Sequence, residues 1–434
     1  MALVHDATDL LQRLIRLNTV NPPGNEREAQ EMLRAELEAA GFECELVGAT
    51  EERPNLIARL PGKADGRRLC YLSHVDTVLA DPAEWSVDPW SGELKDGYVW
   101  GRGALDMKGQ VACEVAAACA LGRNGWRPER GELLVVVTCD EEAGATYGAQ
   151  WLCEHVPEKV RCDMVVNEGA GEVLDYEGRR MYTLCIGEKG VFRFRLITHG
   201  RAGHASMPGI GDNALLRMVD VLSRLDGRQP PFDSYQAGVA CLETLTGVSV
   251  DDVSAALAQM REVEPRLADQ FESMMRVTLA PTMIRASEKE NVIPSRCTVR
   301  VDCRVPPGMG EEHVRGRITE LLGPEGNDYS LEFSEQVVGN SSPPESDLVD
   351  HLREYVGRMD PGAQLLPLVL TGFTDSHWFR KAFPECVAYG FFPQHAMSRW
   401  DTTPLIHAPD ERIAVDDIEF ASRFFNELAP AVLR

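Results

Sequence analysis

Carboxylates and histidines follow several predicted strands of this sequence, and these are the residue types that could do chemistry. The polar motifs at these strand ends are SHVD with His74 and Asp76, GALDMKG with Asp106, CDEE with Glu141 and Glu142, and NEGAG with Glu168. In open α/β sheets, ligands gather at the carboxyl ends of strands. Histidine nitrogen and carboxylate oxygen bind Zn²⁺ and similar divalent ions, and this many candidates favour two metal ions over one.

Each of these residues also has an ordinary structural explanation. Asp106 could cap the helix that follows it, His74 could be a half-buried histidine at a strand end, and Glu168 could be a loop carboxylate. The acid pair of the CDEE motif could form the solvated first turn of a helix predicted from about residue 143. The coincidence of all these groups at the ends of several strands favours the metal-site interpretation.

Composition excludes several classes of partner. The chain has 434 residues and a formal charge of −24, from 68 acids against 44 lysines and arginines, which argues against nucleic acid or an anionic membrane as the principal partner. Its start reads as an amphipathic helix rather than a signal peptide, and no segment approaches the roughly 18 apolar residues of a membrane span. The 12 cysteines form no C-x-x-C pair. We therefore expect a cytoplasmic protein with buried thiols.

The elements that must position these groups form two domains. Strands alternate with helices up to about residue 186, and some strands, such as ELLVVVTCD, are continuously apolar, which indicates an α/β, largely parallel sheet with helices on both faces. From residue 187 the strands alternate with period two, as in a small α+β domain, with a partly helical insertion at 227–280. The first pattern returns near residue 337. We predict a catalytic domain of residues 1–186 and 337–434 that is interrupted by a domain of residues 187–336.

The ordered series of motifs resembles the M20 metallopeptidase family. The series comprises SHVDTV, GRGALDMKG, TCDEEAGATYGA, NEGAG, GHASMPGIGDNAL and PLIHAPDERI. That family includes aminoacylases, acetylornithine and succinyl-diaminopimelate deacylases, and glutamate-releasing carboxypeptidases. The resemblance implies a di-metal hydrolase domain and an inserted lid or dimerisation domain.

The resemblance also implies how the metals are shared among the ligands. It assigns His74 and Glu168 to one metal ion, Glu142 and His407 to the other, and Asp106 as the bridge between them. Zinc is the family's usual metal, and Mn²⁺ or Co²⁺ could substitute because carboxylate-rich sites discriminate poorly.

The two remaining acids of the motifs have other implied roles. Asp76 matches the acid that orients the first histidine of the family. Glu141 matches the general base, which takes a proton from a metal-bridging water and returns it to the leaving nitrogen. Glu142 cannot share that task, because a carboxylate bound to a cation has its lone pairs engaged.

Four residues of the later motifs match positions that contact substrate in relatives. His204 in GHASMP matches a histidine that stabilises the oxyanion, often from a partner subunit. Asn291 in ENVIP and Arg304 in VDCRV match contacts to the substrate carbonyl or α-carboxylate, and an arginine there favours substrates with a free carboxyl end. Gly372 in TGFTDSHWF is a looser match to a glycine of the substrate pocket. Without the resemblance, His204 would be a surface histidine and Arg304 an ordinary strand residue.

The expected reaction is hydrolysis of an amide bond in a small molecule. The Glu-Gly pair that contains Glu168 is like that of aminoacylases, and favours removal of the acyl group from an N-acyl amino acid. A carboxypeptidase or dipeptidase that acts on short peptides is the alternative within the family. A non-catalytic metal-binding or assembly protein is the alternative of another class, and it would predict loss of a ligand or of the base. A homodimer through the inserted domain is a further expectation from relatives.

Overall fold

The computed structural model describes residues 2–225, 227–233, 235–247 and 249–434. Two of the residues outside these ranges, Ser234 and Val248, fall in the predicted insertion. The chain divides into two compact units, the first of residues 1–187, 342–368 and 374–434, and the second of residues 188–341 and 369–373. The second unit therefore extends a few residues beyond 336 and includes a short segment that the sequence placed in the catalytic domain.

The strands of the described residues are, in chain order, β1 (Glu43–Val47), β2 (Asn55–Pro61), β3 (Arg68–His74), β4 (Glu93–Lys95), β5 (Tyr98–Trp100), β6 (Glu132–Thr138), β7 (Met164–Asn167), β8 (Glu172–Tyr176), β9 (Arg179–Glu188), β10 (Gly190–Val191), β11 (Phe194–His199), β12 (Gly203–His204), β13 (Thr278–Arg285), β14 (Val292–Ile293), β15 (Arg296–Val305), β16 (Ser330–Phe333), β17 (Gln364–Leu370), β18 (Val387–Gly390), β19 (Gln394–Ser398) and β20 (Arg412–Ala414).

The α-helices of the same residues are α1 (Ala2–Arg16), α2 (Arg27–Ala39), α3 (Lys108–Arg123), α4 (Ala149–His155), α5 (Pro157–Val160), α6 (Ala214–Ser223), α7 (Gln236–Thr246), α8 (Val253–Val263), α9 (Pro265–Met274), α10 (Glu311–Leu322), α11 (Asp347–Met359), α12 (Ser376–Ala382), α13 (Arg399–Thr402) and α14 (Val415–Val432). Among the described residues, none of these helices combines the length and the apolar character that crossing a membrane requires.

A mixed sheet forms the centre of the first unit and confirms the predicted α/β class. Its strand order is β1-β2-β6-β3-β7-β18-β9-β8-β19, and β17 pairs with β9. The four central strands β6, β3, β7 and β18 are parallel to one another, whereas β1, β2 and β6 pair in antiparallel fashion. Helices α1, α2, α3 and α14 pack together beside this sheet, and α4 packs with α12.

The apolar run of β6 explains why this strand lies in the middle of the sheet. The strand pairs with β2 on one edge and with β3 on the other. Every residue of Leu133–Val137 is fully buried, and because successive side chains point to opposite faces of the sheet, both faces must be covered at this strand. β-Branched side chains pack well on such a pleated surface. The strand gives the residues that follow it a rigid base.

The second unit contains an antiparallel sheet with one face covered by helices. Strand β15 pairs with β13 on one edge and with β11 on the other, and β11 pairs with β16. Residues along β15 alternate between more and less exposed, as the period-two pattern predicts, and the buried ones join a core with side chains of α6 and α10. The predicted insertion 227–280 contains the helices α7, α8 and α9.

Candidate metal centre

Three neighbouring parallel strands of the first unit end at the same edge of the sheet. The register pairs His74 at the end of β3 with Thr138 at the end of β6, and pairs Tyr71 of β3 with Val166 of β7. Because carboxyl ends of parallel strands meet at one edge, the residues that follow these strands come together there. The motifs SHVD, CDEE and NEGAG thus meet, although up to about a hundred residues separate them in sequence.

The acid pair does not form the first turn of an α-helix, as the sequence had suggested it could. Glu141 to Ala143 form a single 3₁₀ turn, and α4 begins only at Ala149. Gly144 and Ala145 separate the 3₁₀ turn from α4 because both have positive φ angles, of 103° and 63°. A right-handed helix cannot continue through such left-handed residues. The two carboxylates are also largely buried, with side-chain exposures of 11% for Glu141 and 5% for Glu142.

A buried glutamate that sequence analysis missed links the segment of Asp106 to the segment of His407. Glu411 is fully buried, and its Oε1 accepts hydrogen bonds from the backbone N–H of Leu105 (2.7 Å) and Asp106 (3.1 Å). Its other oxygen forms a 2.6 Å ion pair with Arg102 Nη1. Glu411 lies in the same PLIHAPDERI motif as His407, so the strongest signal in the sequence was its place four residues after a predicted ligand.

Six of the predicted residues form two groups that could each hold a metal ion. One group is His74, Glu141 and Glu168, and the other is Asp106, Glu142 and His407; within each group one ligand atom per residue lies within 4.8 Å of the others. His74 Nε2 lies 3.6 Å from Glu168 Oε1 and 4.0 Å from Glu141 Oε2. His407 Nε2 lies 3.2 Å from Glu142 Oε2.

Asp106 lies between the two groups. Its Oδ1 is 3.3 Å from His74 Nε2, and its Oδ2 is 3.0 Å from His407 Nε2. Each oxygen of one carboxylate therefore faces a different histidine. The neighbouring imidazoles of His407 and His74 hold the pKa of Asp106 below its ordinary value, although burial alone would raise it.

The ligand atoms at the centre of these two groups are arranged for bound cations rather than for hydrogen bonds with one another. His74 Nε2 and Glu142 Oε1 are buried and make no hydrogen bond with the described residues, although His74 Nε2 has three carboxylates within 4.0 Å. Burial and the charge of Asp106 raise the pKa of Glu168 to about 7, and the same two causes raise the pKa of Glu142. Divalent cations would offset this crowding of negative charge, and nitrogen and oxygen donors suit Zn²⁺, Mn²⁺ and Co²⁺.

Asp76 holds both His74 and the turn that carries the acid pair. Its Oδ1 lies 3.3 Å from His74 Nδ1 and accepts a hydrogen bond from the backbone N–H of Glu141 (3.2 Å), while Oδ2 accepts one from the N–H of Glu142 (3.1 Å). Burial alone would raise the pKa of Asp76, but its hydrogen bonds, the one with His74 above all, lower it. The side chain can thus orient the imidazole while it fixes the backbone of both glutamates.

A second buried aspartate that sequence analysis missed lies behind the same edge. Asp375 of the TGFTDSH segment accepts a 2.6 Å hydrogen bond from Thr138 Oγ1, and its Oδ1 is buried without a hydrogen-bond partner among the described residues. Thr138 Oγ1 also lies 3.1 Å from the carbonyl oxygen of Ser73, the residue before His74. In this segment the sequence predicted a role only for Gly372. No spacing in the sequence indicates that Asp375 contacts Thr138.

The four predicted substrate contacts lie in the second unit. His204 of β12 is exposed and pairs with Val292 of β14, and the backbone carbonyl of Asn291 accepts a 3.0 Å hydrogen bond from the N–H of Ala205. The structure therefore brings His204 and Asn291 together.

The other two predicted contacts have simpler surroundings. Arg304 lies on β15, where its Nε forms a 2.8 Å ion pair with Asp302. A Cβ added at Gly372 would meet only the side chain of Leu370, at 3.6 Å, so packing does not require glycine there.

The chain matches a known family over most of its length. The model of peptidase family M20/M25/M40 matches residues 70–431. A succinyl-diaminopimelate desuccinylase of Wolbachia sp. subsp. Brugia malayi is 30% identical over 57% of this chain, and the match spans 62% of that relative, slightly less than two thirds of its length. A succinyl-diaminopimelate desuccinylase of Xanthobacter autotrophicus is 28% identical over 96% of this chain and 97% of its own.

A solved structure shows the same fold. An M20 family metallo-carboxypeptidase of Sulfolobus solfataricus superposes with a TM-score of 0.73 and 18% sequence identity, covering 98% of each chain. At this identity the likeness concerns the fold and not the substrate.

Proposed function

The chain belongs to peptidase family M20/M25/M40, and from this premise we propose that it removes the acyl group from small N-acyl amino acids. It is a metal-binding hydrolase of amide bonds. The observation that carries the proposal is the position of Asp106, whose two oxygens face His74 and His407 at 3.3 and 3.0 Å. One carboxylate between two nitrogen ligands is the arrangement that a pair of adjacent metal ions requires.

The proposed ligand sets follow from these contacts. His74 and Glu168 hold one ion, Glu142 and His407 hold the other, and Asp106 belongs to both. We propose zinc as the metal, with cobalt or manganese as substitutes. When bound there, two divalent ions would supply the acidification of water and the polarisation of a carbonyl group.

Glu141 is the proposed proton carrier. Its carboxylate lies 4.0 Å from His74 Nε2, whereas the carboxylate of its neighbour Glu142 lies within 3.2 Å of His407 Nε2. Burial and the charge of Glu168 raise the pKa of Glu141 well above its ordinary value. A raised pKa brings a carboxyl group nearer to the working pH, where it can both accept and return a proton. Glu141 takes the proton from water and delivers it to the leaving nitrogen.

The second unit supplies the proposed substrate contacts. Arg304 binds the free carboxylate of the amino acid, since a guanidinium group can pair with a carboxylate through two parallel hydrogen bonds. His204 stabilises the oxyanion, Asn291 contacts the substrate carbonyl, and Gly372 forms part of the substrate pocket. The Glu-Gly sequence at Glu168 and the two desuccinylase relatives support an acyl group as the part removed.

We also propose that the second unit forms a dimer contact. Strand β13 lies at the edge of its sheet, and Met283 and Ile284 on this strand are 60% and 55% exposed. An exposed apolar edge strand is a template for pairing with another chain. Light scattering on the purified protein would give the mass of a dimer, and a monomer at all concentrations would contradict this proposal.

A substrate panel tests the proposed reaction. N-acetyl and N-succinyl amino acids, dipeptides and N-carbamoyl amino acids are each assayed with and without a chelator, and zinc is added back. We expect chelator-sensitive hydrolysis of the N-acyl amino acids that exceeds hydrolysis of dipeptides. Preference for dipeptides would replace the proposal with a carboxypeptidase or dipeptidase, and no chelator-sensitive hydrolysis at all would favour a non-catalytic protein.

A further inference from the structure

A short segment near the start of the chain runs alongside the residues that follow β3. The backbone N–H of Asn21 donates to the carbonyl of Thr77 (2.9 Å), and the N–H of Thr77 donates to the carbonyl of Thr19 (3.1 Å). Thr19 Oγ1 also donates to the carbonyl of Val75 (2.6 Å). Residues 19–21 therefore extend the structure around Asp76 by backbone pairing, although more than fifty positions separate the two segments in sequence.

The side chain of Asn21 lies between two buried carboxylates. Its Nδ2 donates one hydrogen bond to Asp76 Oδ2 and one to Asp140 Oδ1, both of 2.9 Å. The exposed fractions are 6% for Asn21, 0% for Asp76 and 2% for Asp140. An amide nitrogen carries two N–H groups, so each aspartate receives one of them.

The two carboxylates that Asn21 joins hold the acid-pair turn from both sides. Asp76 accepts the backbone N–H groups of Glu141 and Glu142, as described above. Asp140 directly precedes this pair, and its Oδ2 accepts the N–H of Tyr147 (3.0 Å) on the far side of the turn. Two carboxylates this close repel each other in a buried setting unless donors separate them. Arg53 Nη2, 3.1 Å from Asp140 Oδ1, adds a positive charge beside the second of these carboxylates.

We propose that Asn21 is a positioning residue of the metal centre, because it keeps Asp76 and Asp140 together and thereby fixes the turn that carries Glu141 and Glu142. This inference rests on the proposed two-metal site. The family model matches only residues 70–431, so Asn21 lies outside the matched region. Loss of a group that hydrogen-bonds a ligand directly commonly costs about 10- to 100-fold in metal affinity or activity, and Asn21 acts one contact further out, through Asp76 and Asp140.

The chain offers a matched control in Asn55. This asparagine is fully buried, its Nδ2 donates to the carbonyl of Tyr147 (2.9 Å), and its Oδ1 accepts the N–H of Cys139 (2.9 Å). It braces the same turn as Asn21 does, but in the structure it bonds to backbone groups and to neither Asp76 nor Asp140. Asn55→Ala therefore measures how zinc affinity and stability respond when the turn loses support but the link between Asp76 and Asp140 stays intact.

The experiment compares Asn21→Ala, Asn21→Asp and Asn55→Ala in the full chain. Thermal unfolding of each variant is followed by circular dichroism, and zinc dissociation constants are measured by competition with a chromophoric chelator. Asn21→Asp keeps the size of the side chain but places a third carboxylate against the other two. We expect both Asn21 variants to bind zinc about tenfold more weakly, the low end of the cost of losing a direct partner of a ligand, with Asn21→Asp the weaker binder, while Asn55→Ala keeps the wild-type zinc affinity despite a lower melting temperature. If Asn21→Asp does not fold, Asn21→Ala against Asn55→Ala decides.

Two results would overturn the inference alone. Wild-type zinc affinity in both Asn21 variants would show that the amide does not act on the metal centre. Equal loss of affinity in Asn21→Ala and Asn55→Ala would show only a general structural role. A wild-type protein that binds no zinc would instead overturn the proposed function, and the inference with it.

Discussion

The candidate metal centre of the first unit and the predicted substrate contacts of the second unit are built in different ways. His74 is 1% exposed and ends a buried strand, and Asp76 and Glu411 accept backbone N–H groups of its neighbours Glu141 and Asp106. His204 lies exposed on a strand of two residues, where its Nδ1 contacts Ser206 two positions away. The first region is thus preorganised by the core, whereas the second is held by local contacts. Variants of the ligands of the first region and of the residues that hold them should change metal binding, whereas variants of the second should change kcat or KM without loss of metal.

The largest expected effect is that of Glu141→Gln. Loss of the proton carrier should lower kcat on an N-acyl amino acid by about 10²- to 10⁴-fold, while the zinc content stays at the wild-type value. Glu142→Gln, one position away, should lose zinc as well as activity. Atomic emission spectroscopy gives the metal content of both. Substantial activity in Glu141→Gln, or equal zinc loss in the two variants, would contradict the assignment of roles.

His204→Ala tests the second region at the residue that we propose stabilises the oxyanion. Loss of an oxyanion donor should reduce kcat by about 10²- to 10³-fold without loss of zinc. His199→Ala is the matched control, because His199 is an exposed histidine on β11 of the same unit. A drop in zinc content in His204→Ala, or an equal loss of activity in His199→Ala, would remove the contrast between the two regions.

Asp76→Asn tests whether preorganisation by the core matters for metal binding. Weaker orientation of His74 should cost about 10- to 100-fold in zinc affinity. Asp417→Asn is the control, since Asp417 is also fully buried and accepts backbone N–H groups of His395, Ala396 and Met397 at 2.7, 2.7 and 3.0 Å. We expect this control to lower stability but not zinc affinity. Calorimetric zinc titration distinguishes the two outcomes.

Arg304→Lys should have the smallest effect of the series. A lysine keeps the charge but cannot pair with a carboxylate through two parallel hydrogen bonds. We expect KM to rise by about tenfold, since a hydrogen bond to a charged group contributes about 1.5 kcal/mol or more, and we expect kcat and zinc content to stay unchanged. Arg300→Lys on the same strand is the control. An unchanged KM in steady-state kinetics would remove Arg304 from the proposed substrate contacts.

The fold and the gathering of polar groups at one sheet edge could be predicted because their signals are local. The apolar run Leu133–Val137 indicates a buried strand, and the period-two pattern of β15 indicates a half-covered one. The rule that ligands gather at the carboxyl ends of parallel strands then predicts that His74 and the acid pair meet. Family resemblance added His407, which no local pattern marks.

The hydrogen bonds that support the ligands could not be predicted in the same way. Asn21 meets Asp140 across 119 positions, and Glu411 meets Asp106 across 305. Such pairs depend on which loops pack together, and neither residue stands at a position whose local pattern requires it. The short 3₁₀ turn at Glu141 was missed for a related reason, since acidic residues favour both a first helical turn and a metal site.

The central claim is that Glu142 holds a metal ion while its neighbour Glu141 stays free to carry a proton. A crystal structure of the zinc-loaded protein with data at the zinc absorption edge tests it most directly. We expect two anomalous peaks, one beside His74 and Glu168 and one beside Glu142 and His407, with Asp106 contacting both and Glu141 contacting neither. A single peak, or zinc bound by Glu141, would contradict it.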